Sequence, residues 1–306
     1  MLPSTQQSIA IADLKTLTTI TTPLSPPPPN HTLIRVSFTA STPLDLHRSD
    51  GGLLIPSYPA LSGSGGISGV VVASDALQPG DKVMSFAFHG GVEANHQEYV
   101  TVPNYLLSKV PENISLEEAV TVPVNLVTVF HTVTKDLELE LPWPKPEGYK
   151  PKQRNDGILI WGASSSVGIF AVQVLRHWGY ENILAVSSGK HHEYLQKLGA
   201  TACFDYNDTD VIQNINKAGN IPYIIDCIGS LKGTLEPLTQ IAKGGTIVAV
   251  MLPVILKDAS ETEAPEYEMD ASKVLVDKWA KGVVVRGVRT HFYLDVSFGS
   301  HCIRCQ

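Results

Sequence analysis

Two rhythms of apolar positions divide the chain. In the first third, short runs at residues 8–11, 33–38, 68–73, 82–86, 98–102 and 106–109 are rich in β-branched or alternating apolar residues, with Pro, Gly and Asn between them. Alternation with period two gives a strand one buried and one exposed face, so this third predicts short β-strands joined by turns. Residues 26–30, four prolines and an asparagine, predict an exposed extended connector. Ser115 and Glu118 have the spacing of a capping box, so a helix opens there and is expected to stop near Pro123. A second apolar helix is expected over 125–134. Residues 141–156 carry Pro142, Pro144 and Pro146, which fit neither a helix interior nor a central strand, and this stretch reads as a surface insertion.

From Gly157 the rhythm changes to strand and helix in alternation. Strands are expected at 158–161, 183–187, 202–204, 221–227, 246–251 and 283–288, and helices at 167–178, 191–198, 231–242 and 272–281. Apolar strands separated by helices are the pattern of a parallel, doubly wound sheet. The predicted fold class is therefore α/β, with a β-rich domain over 1–124, a doubly wound Rossmann domain over 125–290 and a short tail over 291–306. No internal repeat is present.

Composition narrows the partners. The 306 residues are 43% apolar and 17% charged, enough for two domains with cores of their own. A net charge of −7 lacks the basic footprint that phosphate backbones require, so nucleic acid is not an expected partner. No basic segment followed by an apolar stretch opens the chain, and no run approaches the roughly 20 apolar residues of a membrane span. A cytoplasmic protein without membrane contact is expected. Cys203 and Cys227 fall in expected strands and read as small buried hydrophobes. Cys302 and Cys305 have the spacing of a metal or redox pair but lack a second pair, so no metal site is expected there.

The segment Gly162-Ala163-Ser164-Ser165-Ser166-Val167-Gly168 follows one expected strand and opens one expected helix. Such a turn is an anion site, because a helix N-terminus presents unsatisfied N–H groups and small residues let a pyrophosphate approach the backbone. Gly162 permits the sharp turn, Ser164 and Ser165 can add hydroxyl donors, and Gly168 lets the helix pack on the sheet. The spacing departs from the strict GxGxxG fingerprint; the strand before and helix after it carry the reading. The end of the second strand, about 20 residues on, decides between NAD and NADP, since an acid there would repel a 2′-phosphate. Here stand Ser187, Ser188, Gly189, Lys190 and His191, two hydroxyls and a cation with no acid, so NADP(H) is the expected cofactor. Tyr206, after the next strand, can pack beside the adenosine end.

These residues resemble the medium-chain dehydrogenase/reductase superfamily, and more closely its fungal zinc-independent group of trans-acting enoyl reductases and ToxD-like oxidoreductases. Supporting stretches are residues 78–83, 115–119, 141–146, 197–200 and 204–206, so the resemblance spans roughly 5–293. It implies a GroES-like catalytic domain before the Rossmann domain, with the active site in the cleft between them. By position it implies that Thr42, Pro43, Leu44 and Asp45 border the nicotinamide, that Ser164, Ser165, Ser166 and Val167 form the phosphate turn, and that Met251 and Leu252 end the strand below the nicotinamide. It places Asn125, Thr128 and His131 on the substrate side. Zinc members use a Cys, a Gly-His-Glu and a further Cys or Asp. Here Asp45 stands near the first ligand position, residues 63–66 are Gly-Ser-Gly-Gly, and the first 200 residues contain no cysteine. His31, His47, His89, His96 and His131 lack ligand spacing and read as structural or solvated.

A zinc-free site suits acceptors whose charge spreads as hydride arrives, because a simple ketone develops a full alkoxide and needs a Lewis acid or a placed proton donor. The expected activity is NADPH-dependent reduction of an α,β-unsaturated secondary-metabolite or polyketide intermediate, a small molecule or a carrier-bound thioester, with a polyketide synthase as an expected partner. The proton donor stays open, with Thr128 and Asp45 as candidates. The alternative enzyme reading is a quinone oxidoreductase. The resemblance also implies a returning segment after residues 289–293; residues 294–306 do not resemble it, which keeps open a truncated, non-catalytic NADP(H)-binding relative.

Overall fold

The computed structural model describes residues 2–292, and the chain divides into two units, each described by itself. One holds the chain up to Val124 together with Ala259–Pro265; the other holds Asn125–Asp258 and the described chain from Glu266 on. Cys302 and Cys305, and the expected tail from residue 293 on, lie outside the described residues.

The first unit is antiparallel. Strands β1 (Thr5–Asp13) and β2 (Thr16–Pro23) form a hairpin, and β1 also pairs β4 (Ala60–Leu61). Strands β3 (His31–Thr39), β5 (Gly65–Ser74), β6 (Lys82–Ala87), β7 (Tyr99–Pro103) and β8 (Leu107–Lys109) make a five-stranded sheet in the order β7-β3-β5-β6-β8. Its core is aliphatic, with Ile34, Ile67, Val71, Val83, Val100 and Val102 at most 2% exposed. The strand-and-turn reading of this third holds. Sequence periodicity missed β2, because its Thr-rich run is exposed or half-exposed throughout and carries no buried stripe. It also missed α1 (Pro43–Gly51), which buries no residue fully and so shows no apolar face. The capping-box helix, α2 (Leu116–Ala119), ends earlier than expected: Glu118 N–H donates to Ser115 Oγ and the Glu118 carboxylate accepts from Ser115 N. Pro123 opens the next helix rather than ending this one, where its missing N–H costs no bond.

The second unit is built on α3 (Val122–His131), which passes into a π-helical turn at Thr132–Asp136. The hydroxyls of Thr132 and Thr134 donate back to the carbonyls of Thr128 and Phe130, the kind of bond that distorts a helix end. Strands β9 (Ile158–Trp161), β10 (Ile183–Ser187), β11 (Ala202–Asp205), β12 (Tyr223–Asp226), β13 (Ile247–Met251) and β16 (Val284–Val288) form one parallel sheet in the order β11-β10-β9-β12-β13-β16. Helices α4 (Ser166–Trp178), α5 (His192–Leu198), α6 (Val211–Lys217) and α7 (Glu236–Thr239) fill its crossovers, and a hairpin of β14 (Val254–Lys257) and β15 (Glu266–Glu268) precedes β16. The order runs outward from β9 in both directions, which is the doubly wound arrangement expected.

The apolar run of β9 explains why this strand is central. Ile158 and Ile160 enter one core with Ala171, Val172 and Leu175 of α4, while Leu159 and Trp161 enter the other with Ile215 and Leu235. Two expected helices differ: residues 231–242 give a π-helical turn at Leu231–Leu235 followed by the short α7. Residues 272–281 form no α-helix: a single 3-10 turn at Ala271–Lys273 is followed by Leu275 at φ 56, in the left-handed region, and the Trp279 indole folds back to donate to Val274 O. Residues 141–156 are irregular, as their prolines require, and lie at the surface as expected, tied down at residues 141–143. Leu141 is buried, Pro142 O accepts from the Trp178 indole, and Trp143 stacks on Trp178 at 6.1 Å.

The fully buried Tyr180 ties this segment down, its hydroxyl donating to Glu140 O at 3.1 Å. Replacing Tyr180 by Phe removes the donor and strands a carbonyl, so Tyr180→Phe is expected to cost about 1 kcal/mol in chemical denaturation. Tyr180→Ala, which also opens a cavity, is expected to cost about 3–5 kcal/mol.

Candidate functional site

Strand β9 delivers the chain into a turn with no room for side chains at two points. Gly162 sits at φ 78, and a Cβ there would lie 2.7 Å from Ile228 Cδ1. A Cβ on Gly168 would lie 2.5 Å from Gly162 O, so the first turn of α4 rests directly on the backbone of the loop. Ser165 caps α4, its Oγ accepting from Gly168 N at 3.1 Å, and the same hydroxyl bonds the Cys227 thiol. Ser165 Oγ thus serves the helix as an acceptor. The N–H groups of Ser166 and Val167, the first two helical residues, have no partner within the helix. Ser166 is exposed and Ser164 and Val167 half-buried. This backbone fits an oxyanion: small residues, two open N–H groups and the positive end of a 13-residue helix.

The neighbouring strand ends lie in register with this turn. Ser187 at the end of β10 is buried, and its hydroxyl donates to Ser188 O at 3.2 Å. Ser188 and His191 are half-buried, and Gly189 and Lys190 exposed. Lys190 makes no ion pair among the described residues. Tyr206 follows β11 and is 51% exposed, open to a planar ligand. Met251 ends β13 and Leu252 follows it, both half-buried. Between β9 and β13, β12 ends on Asp226, fully buried, whose carboxylate accepts from Ile228 N, Gly229 N and the Thr234 hydroxyl. Burial lifts Asp226 to about 6 despite those three donors, and burial with the Asp226 charge lifts the Cys227 thiol to about 12. Cys227 follows the strand and, like Cys203, is half-buried rather than fully buried as expected; its raised pKa keeps the thiol protonated at neutral pH.

Helix α3 brings Asn125, Thr128 and His131 to this unit, and its Val129 shares a core cluster with Ala163 of the turn. Thr128 is buried. His131 is buried too, its Nε2 3.8 Å from Asp136 Oδ2. Burial lowers the His131 pKa and raises that of Asp136 to about 7, while Arg286, which donates to Asp136 O, works against the rise. Sequence reading did not single out Asp136, since nothing in its local pattern signals a buried acid.

In the other unit, Thr42, Pro43, Leu44 and Asp45 form the start of α1. Thr42 is the N-cap, and its N–H and hydroxyl donate to Asp45 Oδ2 at 2.7 and 3.2 Å. Asp45 is thereby held in a capping bond, with its Oδ1 buried and unpaired. Asp45 and Arg48 both act on half-buried His96, whose pKa burial lowers, and His96 Nδ1 lies 2.9 Å from Ser62 Oγ. Among the described residues, no group of three or more His, Cys, Asp or Glu side chains is arranged to hold a metal ion, and no helix is long and apolar enough to cross a membrane.

A doubly wound sheet with a small-residue turn after its first strand is the architecture of the dinucleotide-binding fold. The chain belongs to the medium-chain dehydrogenase/reductase superfamily and resembles its fungal enoyl reductases. The zinc-binding dehydrogenase family model matches residues 166–286. The trans-enoyl reductase tazE of Aspergillus terreus is 34% identical over 255 residues, 77% of this chain and 81% of that protein. The CurK enoyl reductase shares the fold at TM-score 0.71 and 15% identity, over 96% of this chain and 83% of that one. A mycobacterial protein complexed with NADPH does so at TM-score 0.66 and 20% identity, over 94% and 83%.

Asp136 makes stability depend on pH. Its folded pKa, about 7 against an ordinary 3.8, means that folding favours the protonated form, a contribution present at low pH and lost as pH rises through 7. Asp136→Asn removes that loss. Thermal melts are expected to show the variant gaining on the parent by several degrees between pH 5 and pH 8; an unchanged difference would refute the burial argument.

Proposed function

We propose that the chain is an NADPH-dependent reductase of carbon–carbon double bonds conjugated to a carbonyl. Its substrate is a secondary-metabolite or polyketide intermediate, taken as a small molecule or as a thioester on the carrier of a polyketide synthase. The observation that carries this reading is the row of strand ends: a backbone turn open to a pyrophosphate beside a loop with an unpaired cation and no acid at the end of β10. The likeness to trans-enoyl reductases over most of their length supports the acceptor class.

The residues divide the work. Ser166 and Val167 N–H hold the pyrophosphate, with Gly162 and Gly168 keeping the backbone close and Ser164 at the rim. Ser188, Gly189, Lys190 and His191 receive the 2′-phosphate, and Tyr206 covers the adenosine. Met251 and Leu252 underlie the nicotinamide, which supplies the hydride when bound. Thr42, Pro43, Leu44 and Asp45 are assigned to its border by resemblance, and Asn125, Thr128 and His131 to the substrate. Thr128 and Asp45 are the two candidate proton donors, Asp45 with its Oδ2 engaged by Thr42 and its Oδ1 unpaired. Positioning supplies most of the acceleration, as befits an acceptor that spreads its own charge.

Two measurements test the reading. NADPH oxidation is expected with crotonyl-type thioesters at a kcat/KM at least tenfold above that with simple quinones; turnover of quinones alone would overturn it. Gly168→Ala, whose methyl has no space against Gly162 O, is expected to lower the Tm of the cofactor-free protein and to weaken NADPH binding at least tenfold; a variant that binds NADPH like the parent would contradict the assignment of the turn.

A further inference from the structure

An acid does stand at the end of this loop, supplied by the next strand. Asp205 closes β11 directly beside Ser187 of β10, with which it pairs in register. Its Oδ2 accepts from Gly189 N at 2.6 Å, and its Oδ1 accepts from Asn207 N at 2.9 Å and from Asn207 Nδ2 at 2.8 Å. A carboxylate has about four acceptor positions, so three donors leave it little to offer a ligand. The Asn207 N–H, opposed by burial and then aided by the Gly189 N–H, the Asn207 amide and nearby His192, holds this carboxyl below the ordinary carboxylate range. Asp205 is thus a charged group turned inward on the backbone.

Gly189 is built for the same contact. Its φ is unremarkable for any residue, but a Cβ on it would lie 2.9 Å from Asp205 Oδ2. The bare backbone lets the carboxylate reach the N–H. The bond fixes the middle of the loop: Ser188 before it is held by His191 N–H on its carbonyl, and Lys190 after it is left exposed.

We propose that Asp205 is a positioning residue that sets the preference for the 2′-phosphorylated cofactor, by holding Gly189 so that Ser188 and Lys190 face the phosphate. The inference rests on the NADP(H) reading above. An acid at the end of β10 would offer free lone pairs to ribose hydroxyls and repel a phosphate. The same carboxyl on β11 spends its lone pairs on N–H groups, so that it orders the phosphate loop and gives the unphosphorylated ribose no comparable acceptor.

The test is a fluorescence titration of NADPH and of NADH into the full chain and its variants Asp205→Ala, Asp205→Asn and Gly189→Ala. The parent is expected to bind NADPH at least tenfold more tightly than NADH. Asp205→Ala and Gly189→Ala should each reduce that ratio about tenfold, with the NADH Kd within twofold of the parent. The double variant should be little worse than either single one, because both remove one contact. Asp205→Asn, which keeps an acceptor for Gly189, should retain more of the ratio than Asp205→Ala. A parent without NADPH preference would overturn the cofactor reading itself. A parent that prefers NADPH, with the ratio intact in Asp205→Ala, would overturn the role of Asp205 alone. Equal weakening of both cofactors would do the same, since a general structural defect spares the ratio.

Discussion

The contact between Gly168 and the backbone of Gly162 and Ala163 is the constraint on which the second unit depends. It fixes how α4 leaves β9, and through α4 it fixes one of the two cores, since Ala171, Val172 and Leu175 reach the sheet only at that angle. The same closeness leaves the N–H groups of Ser166 and Val167 at the surface of the turn instead of under a side chain. On the proposed function, packing and anion binding are one requirement at this point: the geometry that seats the helix is the geometry that opens the backbone.

Around that turn, the polar groups fall into two kinds. Ser165, Ser187, Asp205 and Asp226 are committed to backbone or to each other's neighbours, and they shape loops. Ser188, Lys190 and Tyr206 are not so committed and stand where a ligand can meet them. Residue type does not separate the kinds. Two serines adjacent in sequence, Ser187 and Ser188, differ because β10 is buried on both faces along its whole length and ends at Ser187, leaving Ser188 beyond the sheet.

This is also why the sequence was readable to different depths. The parallel sheet, α4 and the turn were legible, because β9 is apolar on both faces and its strand–turn–helix context has few alternatives. Elements without a buried stripe were not: β2, exposed along most of its length, and α1, with no fully buried residue, carry no periodic signal. The 272–281 stretch shows the converse error, an apolar-periodic segment that a left-handed Leu275 and a folded-back Trp279 keep from becoming a helix. At the site, types and positions along the chain were legible, while commitments were not. Asp205 looked like the end of a strand, and only the sheet register shows that it reaches the loop of its neighbour. Its one local signal was the Asp-x-Asn pattern of Asp205 and Asn207, a side chain that bonds the backbone two residues on.

The central claim is that this backbone turn and its neighbouring loop hold a 2′-phosphorylated nicotinamide cofactor. Thermal unfolding with and without NADPH tests it most directly, because a ligand that binds only the folded chain stabilises it by about 2.7 kcal/mol at a concentration one hundred times its Kd. The account predicts a rise in Tm that grows with NADPH concentration and is smaller with NADH at equal concentration. A Tm that stays constant across a large excess of NADPH would contradict it.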